Sequence, residues 1–187
     1  QPEQLKKVQD RANELRDSMC GNAIPNIVLP DLDQQQWVSL YDVDAKYTVV
    51  IIWESTCGHC KKELPKYKEL YEKWKPKGLE IFAIGNDFDP EPWQVYVKEK
   101  EYTGWINVSD NPLINAQDSA MKLIQGRITN LKSLNFRKTF DVFATPKVFL
   151  LDQDKNILAK QIGADQLEEI LGRLEALESK VHSPIME

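Results

Sequence analysis

The sequence predicts an α/β protein with a central mixed β-sheet flanked by helices, and three observations support that class. Apolar runs at residues 48–53, 79–85 and 147–151 have the length and β-branched content of strands that are covered on both faces. An amphipathic segment at residues 58–75 separates the first two runs, which is the order of a parallel βαβ unit. A turn and a second apolar run at residues 156–162 follow the third, which predicts an antiparallel hairpin.

Length and composition indicate one globular domain with a small extension. The chain has 187 residues, of which 42% are hydrophobic and 28% charged. Its formal net charge of −5 argues against nucleic acid or an anionic membrane surface as the main partner. No run approaches the roughly 18 apolar residues of a membrane span. The start at Gln1 is consistent with a trimmed form, so a removed signal peptide or lipid anchor stays open.

Residues 1–22 are predicted to form an N-terminal helical extension. Its apolar residues recur every three or four positions and form one stripe: Leu5, Val8, Ala12, Leu15 and Met19. Gly21 and Asn22 are typical helix stops. We expect the stripe to pack on the domain or on an upstream segment, and Cys20 to be a buried small hydrophobe.

Residues 23–178 are predicted to form the main domain. Two prolines and the alternation at residues 37–41 predict a β-hairpin before the first core strand. In the helix at residues 58–75, Pro65 removes one backbone donor. Beyond the second core strand we expect a helix at residues 91–100 and a short strand at residues 105–108.

The last third of the chain is less regular. Residues 111–138 predict one or two helices broken at Gly126. Asp165 and Glu168 are spaced as a capping box at the start of the final helix. The predicted buried face of that helix comprises Leu167, Ile170, Leu171, Leu174 and Leu177. Residues 179–187 are expected to be a loose tail.

Cys57 and Cys60 are separated by two residues at the turn that joins the first core strand to the following helix. The free N–H groups and the dipole at a helix N-terminus favour a thiolate over a thiol. Disulfide exchange requires an attacking thiolate and a second thiol that resolves the mixed disulfide. We therefore predict that Cys57 is the nucleophile and Cys60 the resolving thiol. His59 between them is expected to stabilise the Cys57 thiolate.

Two other interpretations of this pair are weaker. A structural zinc site needs four ligands, and the chain offers only Cys20, His59 and His182 besides the pair. A permanent structural disulfide is also conceivable. We expect no metal and no cofactor other than the redox-active disulfide Cys57–Cys60.

Over residues 24–176 the chain resembles the thioredoxin superfamily, and within it the exported TlpA/ResA-type thiol–disulfide oxidoreductases often grouped with AhpC/TSA-like domains. Trp53, the Cys57-Gly58-His59-Cys60 motif, Pro65 and the pair Thr145-Pro146 carry the resemblance. It implies a thioredoxin-like fold in which Pro146 is the cis-proline beside the sulfurs.

The resemblance also implies roles for other residues. Thr145, Trp53 and Gly58 become candidate substrate-binding residues, although core packing is the simplest explanation of Trp53. Plain thioredoxin has a buried Asp at the position of Ile51, so Glu54 is a candidate replacement for the proton acceptor. The stretch at residues 111–136 is longer than the corresponding stretch in members of the family.

The predicted function is exchange of disulfides with protein thiols, together with an electron donor or acceptor. The resemblance favours an extracytoplasmic reductase in the bacterial periplasm or envelope, with a possible membrane anchor upstream. An oxidant or isomerase remains open because Gly-His is the pair of protein disulfide isomerases. A peroxidase is disfavoured, since Glu54 stands where peroxiredoxins have Thr. A non-catalytic thioredoxin-like binding module is the alternative from a different class.

Overall fold

In the computed structural model of the chain, residues 2–16, 18–110 and 117–181 are described. The strands in this part of the chain are β1 (Val28–Pro30), β2 (Trp37–Ser39), β3 (Tyr47–Trp53), β4 (Leu79–Gly85), β5 (Ile106–Ser109), β6 (Lys147–Leu151) and β7 (Ile157–Lys160). The α-helices are α1 (Pro2–Arg16), α2 (Gly58–Trp74), α3 (Pro90–Glu99), α4 (Gln117–Gln125), α5 (Leu131–Leu134), α6 (Phe136–Thr139) and α7 (Ala164–Val181).

The central sheet has the strand order β5-β4-β3-β6-β7. Strands β3, β4 and β5 are parallel, whereas β6 and β7 pair antiparallel. Every residue of β3 is buried, as its continuous apolar run predicts. The α/β class, the βαβ unit and the mixed sheet are therefore confirmed.

Each face of the sheet has its own hydrophobic core. On one face, helices α2, α3 and α7 cover a cluster that includes Trp53, Cys60 and Trp93. On the other face, the segment around β1 and β2 packs with Phe136 and Phe140. The predicted hairpin is confirmed as the antiparallel pair of β1 and β2, in which Leu29 faces Val38.

The N-terminal extension differs from its prediction. Helix α1 ends at Arg16, and its stripe is not packed on the described domain, because Leu5 and Val8 are 63% and 66% exposed. Cys20 is exposed rather than buried. The reason is that it lies in a surface turn whose neighbours are fixed through the backbone, with Gly21 N–H donating to the Ile157 carbonyl at 2.8 Å.

The described part of the region between β5 and β6, residues 117–146, contains three short helices. Helix α4 ends at Gln125, one residue before Gly126, as predicted. The Ser133 hydroxyl accepts a hydrogen bond from Val28 N–H at 2.8 Å, and this bond ties α5 to β1. Residues 111–116, which belong to the predicted long stretch, lie outside the described residues.

The final helix also departs from its prediction in three respects. Helix α7 begins at Ala164, so Asp165 lies inside its first turn, and Gln166 rather than Glu168 reaches back to Gly163 N–H at 3.1 Å. Leu177 is 60% exposed, because the end of the helix is held instead by Glu178, which accepts a hydrogen bond from Tyr47 Oη at 2.9 Å. The helix continues to Val181 into the predicted loose tail, of which residues 182–187 are outside the description.

Candidate active site

Cys57 lies at the junction between β3 and α2, as the N-cap residue of that helix. Its sulfur accepts a hydrogen bond from the Cys60 N–H at 3.1 Å. An N-cap side chain of this kind satisfies one of the free donors of the first helical turn. The strand-to-helix turn thus places a sulfur where backbone N–H groups favour negative charge.

Thr145 and Pro146 come from the distant loop before β6 and complete the site. The Cys57 S–H donates to the Thr145 carbonyl at 3.4 Å. The Thr145–Pro146 peptide bond is cis, which confirms the expected isomer. The fold therefore brings together the cysteine motif and the Thr-Pro pair, which are separated by 88 positions.

The two thiols differ in their tendency to ionise. Burial acts to raise the pKa of Cys57, but hydrogen bonds from the Cys60 side chain and backbone, the Thr145 side chain and the His59 backbone outweigh it and lower that pKa. Burial and the Cys57 hydrogen bond raise the pKa of Cys60 to about 12. Both cysteines are free thiols; Cys57 is half-buried, whereas Cys60 is fully buried. This arrangement provides one accessible thiolate and one protected thiol.

Glu54 contacts Cys60 through its backbone, which hydrogen-bonds to the sulfur. Its carboxylate is half-buried and accepts a hydrogen bond from the Asn86 side chain. Ile51 is fully buried in the same core cluster as Cys60, so the position of the thioredoxin aspartate is apolar here. A role for the Glu54 carboxylate in proton transfer stays a prediction.

The other predicted site residues have different environments. Trp53 is fully buried, with its ring centroid 5.6 Å from that of Tyr96, which fits core packing beneath the site rather than contact with a substrate. Gly58 and His59 are exposed on the first turn of α2. A Cβ atom at Gly58 would meet no atom within 4 Å, so the surface at Gly58 is open.

A groove with a volume of about 330 Å³ lies beside the cysteines. Its lining includes His59, Glu63, Tyr67, Phe143, Pro146 and Gly163. Sequence reasoning missed Glu63, although it lies three residues after Cys60 and therefore on the same helical face. Its carboxylate pairs with Lys66 at 2.9 Å.

Sequence reasoning also missed a polar layer that supports the active-site turn. The Asp87 carboxylate accepts a hydrogen bond from Ser55 N–H at 2.9 Å. The Asn86 carbonyl accepts one from Arg137 at 3.3 Å, and Arg137 forms a bidentate ion pair with Asp110 at 2.5 and 3.0 Å. Helix α6, which carries Arg137, is thereby connected to the loop behind the cysteines. No local sequence pattern indicates a contact of this range.

Neither a metal site nor a membrane span is found in the described part of the chain. Within residues 2–16, 18–110 and 117–181, no three His, Cys, Asp or Glu residues are grouped so that they could hold a metal ion. None of the helices in those ranges is both long and apolar enough to cross a membrane.

A helix-capping cysteine, a buried partner thiol and a cis-proline on this fold define the class of thioredoxin-like thiol–disulfide oxidoreductases. The AhpC/TSA family model matches residues 20–160, and the chain belongs to that family.

Named relatives agree with this class. The thiol–disulfide oxidoreductase ResA of Bacillus cereus is 29% identical over 157 residues, which cover 84% of this chain and 78% of ResA. A crystallised domain of a possible thiol–disulfide isomerase from Cytophaga hutchinsonii is 31% identical with a TM-score of 0.68, over 87% of this chain and 97% of that domain. A thiol:disulfide interchange protein from Bacteroides sp. has the same fold, with 24% identity and a TM-score of 0.62 over 83% of this chain and 89% of that one. The chain is a thiol–disulfide oxidoreductase of the ResA type.

Proposed function

We propose that this chain reduces disulfide bonds in extracytoplasmic proteins through its CGHC motif. The Cys57 thiolate attacks one sulfur of the substrate disulfide, forms a mixed disulfide and releases the other sulfur as a thiolate. Cys60 then loses its proton and attacks the Cys57 sulfur, which releases the second substrate thiolate. The substrate disulfide gains two electrons, and the chain is left with the Cys57–Cys60 disulfide.

One observation carries this proposal: the Cys57 sulfur is half-exposed at a helix N-terminus, whereas Cys60 is fully buried one turn away. The exposed sulfur is the one that a large substrate can reach. The buried one is protected until the mixed disulfide has formed. Hydrogen bonds that lower the pKa of Cys57 increase the fraction of its thiolate at a given pH.

The surrounding residues have supporting roles in this proposal. Pro146 and Thr145 form the edge against which the substrate segment lies, and Gly58 leaves room above the nucleophile. His59 adds positive charge near Cys57 when it is protonated. Glu54 accepts the Cys60 proton in place of the missing aspartate, with the groove carboxylate Glu63 as the competing candidate. Trp53 supports the site from beneath.

The location and the electron source are part of the same proposal. Resemblance to the exported TlpA/ResA proteins supports a location outside the cytoplasm, in a bacterial periplasm or envelope, as part of this proposal. An anchor upstream of the sequence and an upstream electron donor fit that setting.

An oxidant or isomerase is the second candidate, and the lowered pKa of Cys57 favours it. A stabilised thiolate stabilises the reduced form and makes the disulfide more oxidising. The Gly58-His59 pair between the cysteines, which is also the pair of protein disulfide isomerases, likewise favours an oxidant or isomerase.

Titration of the Cys57–Cys60 couple against glutathione tests the direction of the reaction. A midpoint reduction potential near that of thioredoxin, about −270 mV, supports the reductase. A potential near that of protein disulfide isomerase, about −180 mV, supports the second candidate. Insulin reduction that persists in Cys57→Ser would refute the assignment of the nucleophile.

A further inference from the structure

Two phenylalanines near the site are almost fully exposed. Phe88 and Phe143 are 84% and 83% exposed, more than any other large apolar side chain that the structure describes. The Arg11 guanidinium lies 5.5 Å from the centroid of the Phe143 ring, which nevertheless stays exposed. Burial of a phenylalanine is favourable, so exposure of both rings is a cost in the folded chain. Exposed aromatic side chains are typical of surfaces that bind proteins.

Each phenylalanine lies on a loop that contacts the active-site turn. Phe88 directly follows Asp87, whose carboxylate accepts a hydrogen bond from Ser55 N–H at 2.9 Å. Phe143 lies two residues before Thr145, whose carbonyl accepts the Cys57 S–H at 3.4 Å.

The two loops approach Cys57 from opposite sides. The Phe88 loop follows β4, and the Phe143 loop precedes β6. Because β3, which leads into Cys57, lies between β4 and β6 in the sheet, the loops flank the end of β3. The loops that carry Phe88 and Phe143 therefore lie on either side of the strand that leads to the nucleophile.

The chemistry around the rings favours a protein segment over a small thiol. Phe143 borders the groove together with Pro146, Val148 and Ile162, and this apolar part of the lining suits an apolar side chain. Glu63, Asp141 and Lys147 form the charged part of the same lining. Phe88 is flanked by Asp87 and Asp89, which disfavour an anionic thiol such as glutathione.

We propose that Phe88 and Phe143 form a two-point docking surface for protein segments whose cysteine is flanked by apolar side chains. The substrate cysteine reaches Cys57 while its neighbours pack on the two rings. This inference rests on the proposed function, because it requires Cys57 to exchange disulfides with protein substrates.

The test uses two short peptides, each presented as a disulfide-linked dimer with one cysteine per chain. In one peptide leucines flank the cysteine, and in the other serines do. The reduced protein supplies both electrons in a single turnover, so no other reductant is present. Loss of the peptide disulfide is followed by chromatography.

We expect the wild-type chain to react about tenfold faster with the leucine peptide, and the Phe88→Ala/Phe143→Ala variant to lose most of that preference. Leu177→Ala is the matched control, since Leu177 is also exposed (60%) and lies next to Glu178, which bonds Tyr47 at the far end of β3. This control should keep the wild-type ratio.

Equal rates for the two peptides with the wild-type chain would overturn the docking surface and leave the proposed function intact. A preference that survives in the double variant would also overturn it. If the wild-type chain exchanges with neither peptide, the proposed function fails, and the docking surface fails with it. The wild-type comparison does not depend on how any variant folds.

Discussion

Cys57 and Cys60 are three residues apart, yet their thiols ionise in different ranges of pH. The sulfur of Cys57 accepts backbone hydrogen bonds at the helix N-terminus, which lower its pKa against the opposing effect of burial. The sulfur of Cys60 is enclosed by the core, and its pKa is raised to about 12. Two cysteines that are close in sequence can therefore differ in reactivity, because burial and the available hydrogen-bond donors change within one helical turn.

Alkylation tests this difference at the scale of the residue. In the reduced protein we expect iodoacetamide to modify Cys57 and to leave Cys60 unmodified up to about pH 9, because only the thiolate reacts. The half-maximal rate at Cys57 should fall at a lower pH than that of a free thiol. Mass spectrometry of tryptic peptides, in a Cys20→Ser background that removes the other exposed thiol, gives both rates. Modification of Cys60 at a rate comparable to Cys57 would contradict the predicted burial.

At the scale of the element, helix α1 shows how an amphipathic pattern can mislead. Its stripe has helical spacing, and the helix forms, but Leu5 and Val8 remain exposed. Arg11 instead connects the helix to the main domain through Asp141 at 2.7 Å. Periodicity predicts a helix and its apolar face, whereas only tertiary contacts determine what covers that face.

Substitution of this stripe should therefore have little effect on stability. We expect Leu5→Gln/Val8→Gln to change the free energy of unfolding by less than about 0.5 kcal/mol. Leu29→Ala, at a fully buried position of β1, should cost about 2–5 kcal/mol. Urea unfolding measures both. A loss above about 1 kcal/mol in the double variant would mean that the stripe is buried in solution.

Helix α6 contributes Arg137, whose pair with Asp110 supports the loop behind the cysteines. The Asp110 side chain is only 4% exposed, while that of Arg137 is 39% exposed, so the pair is partly screened by water. We expect Arg137→Met to cost about 2 kcal/mol, because a buried carboxylate loses its bidentate partner.

Arg173→Met is the matched control for that variant. Arg173 pairs with Glu169 on the surface of α7, with both side chains more than half exposed, so its loss should cost less than about 0.5 kcal/mol. Thermal and urea unfolding compare the two. Equal losses in both variants would argue against a supporting role for the Asp110 pair.

At the scale of the whole molecule, the redox state and the stability of the fold are linked through Cys57. A group whose pKa is lowered by folding contributes stability above its unfolded pKa and loses that contribution as the pH falls through its folded pKa. Only the dithiol form has this group, since the disulfide has no proton to release.

We therefore expect the melting temperature of the dithiol form, relative to that of the disulfide form, to rise as the pH increases to about 8, which is still below the pKa of about 8.5 of an unfolded cysteine. Cys60 contributes little in this window, because its thiol is largely protonated in both folded and unfolded chains. Calorimetry of the two forms measures the difference. The reduced Cys57→Ser variant should not follow the rise, and a difference that stays flat or falls would contradict the lowered pKa of Cys57.

The sequence by itself determined the α/β class, the succession of core strands and helices along the chain, and the position of the redox pair. These features are local: a buried strand, an amphipathic helix and two cysteines at a strand-to-helix turn are encoded within short segments. Family resemblance implied that the Thr145–Pro146 peptide bond is cis and that the pair lies beside the sulfurs. The fold confirms both expectations.

Only the tertiary structure decided which side chains are exposed and what surrounds Cys57 and Cys60. Four features depend on contacts between distant segments: the exposure of Cys20, the uncovered stripe of α1, the Arg137 layer and the exposure of Phe88 and Phe143. Their physical causes are burial and hydrogen-bond geometry, which are properties of the packed chain, and spacing along the sequence does not specify them.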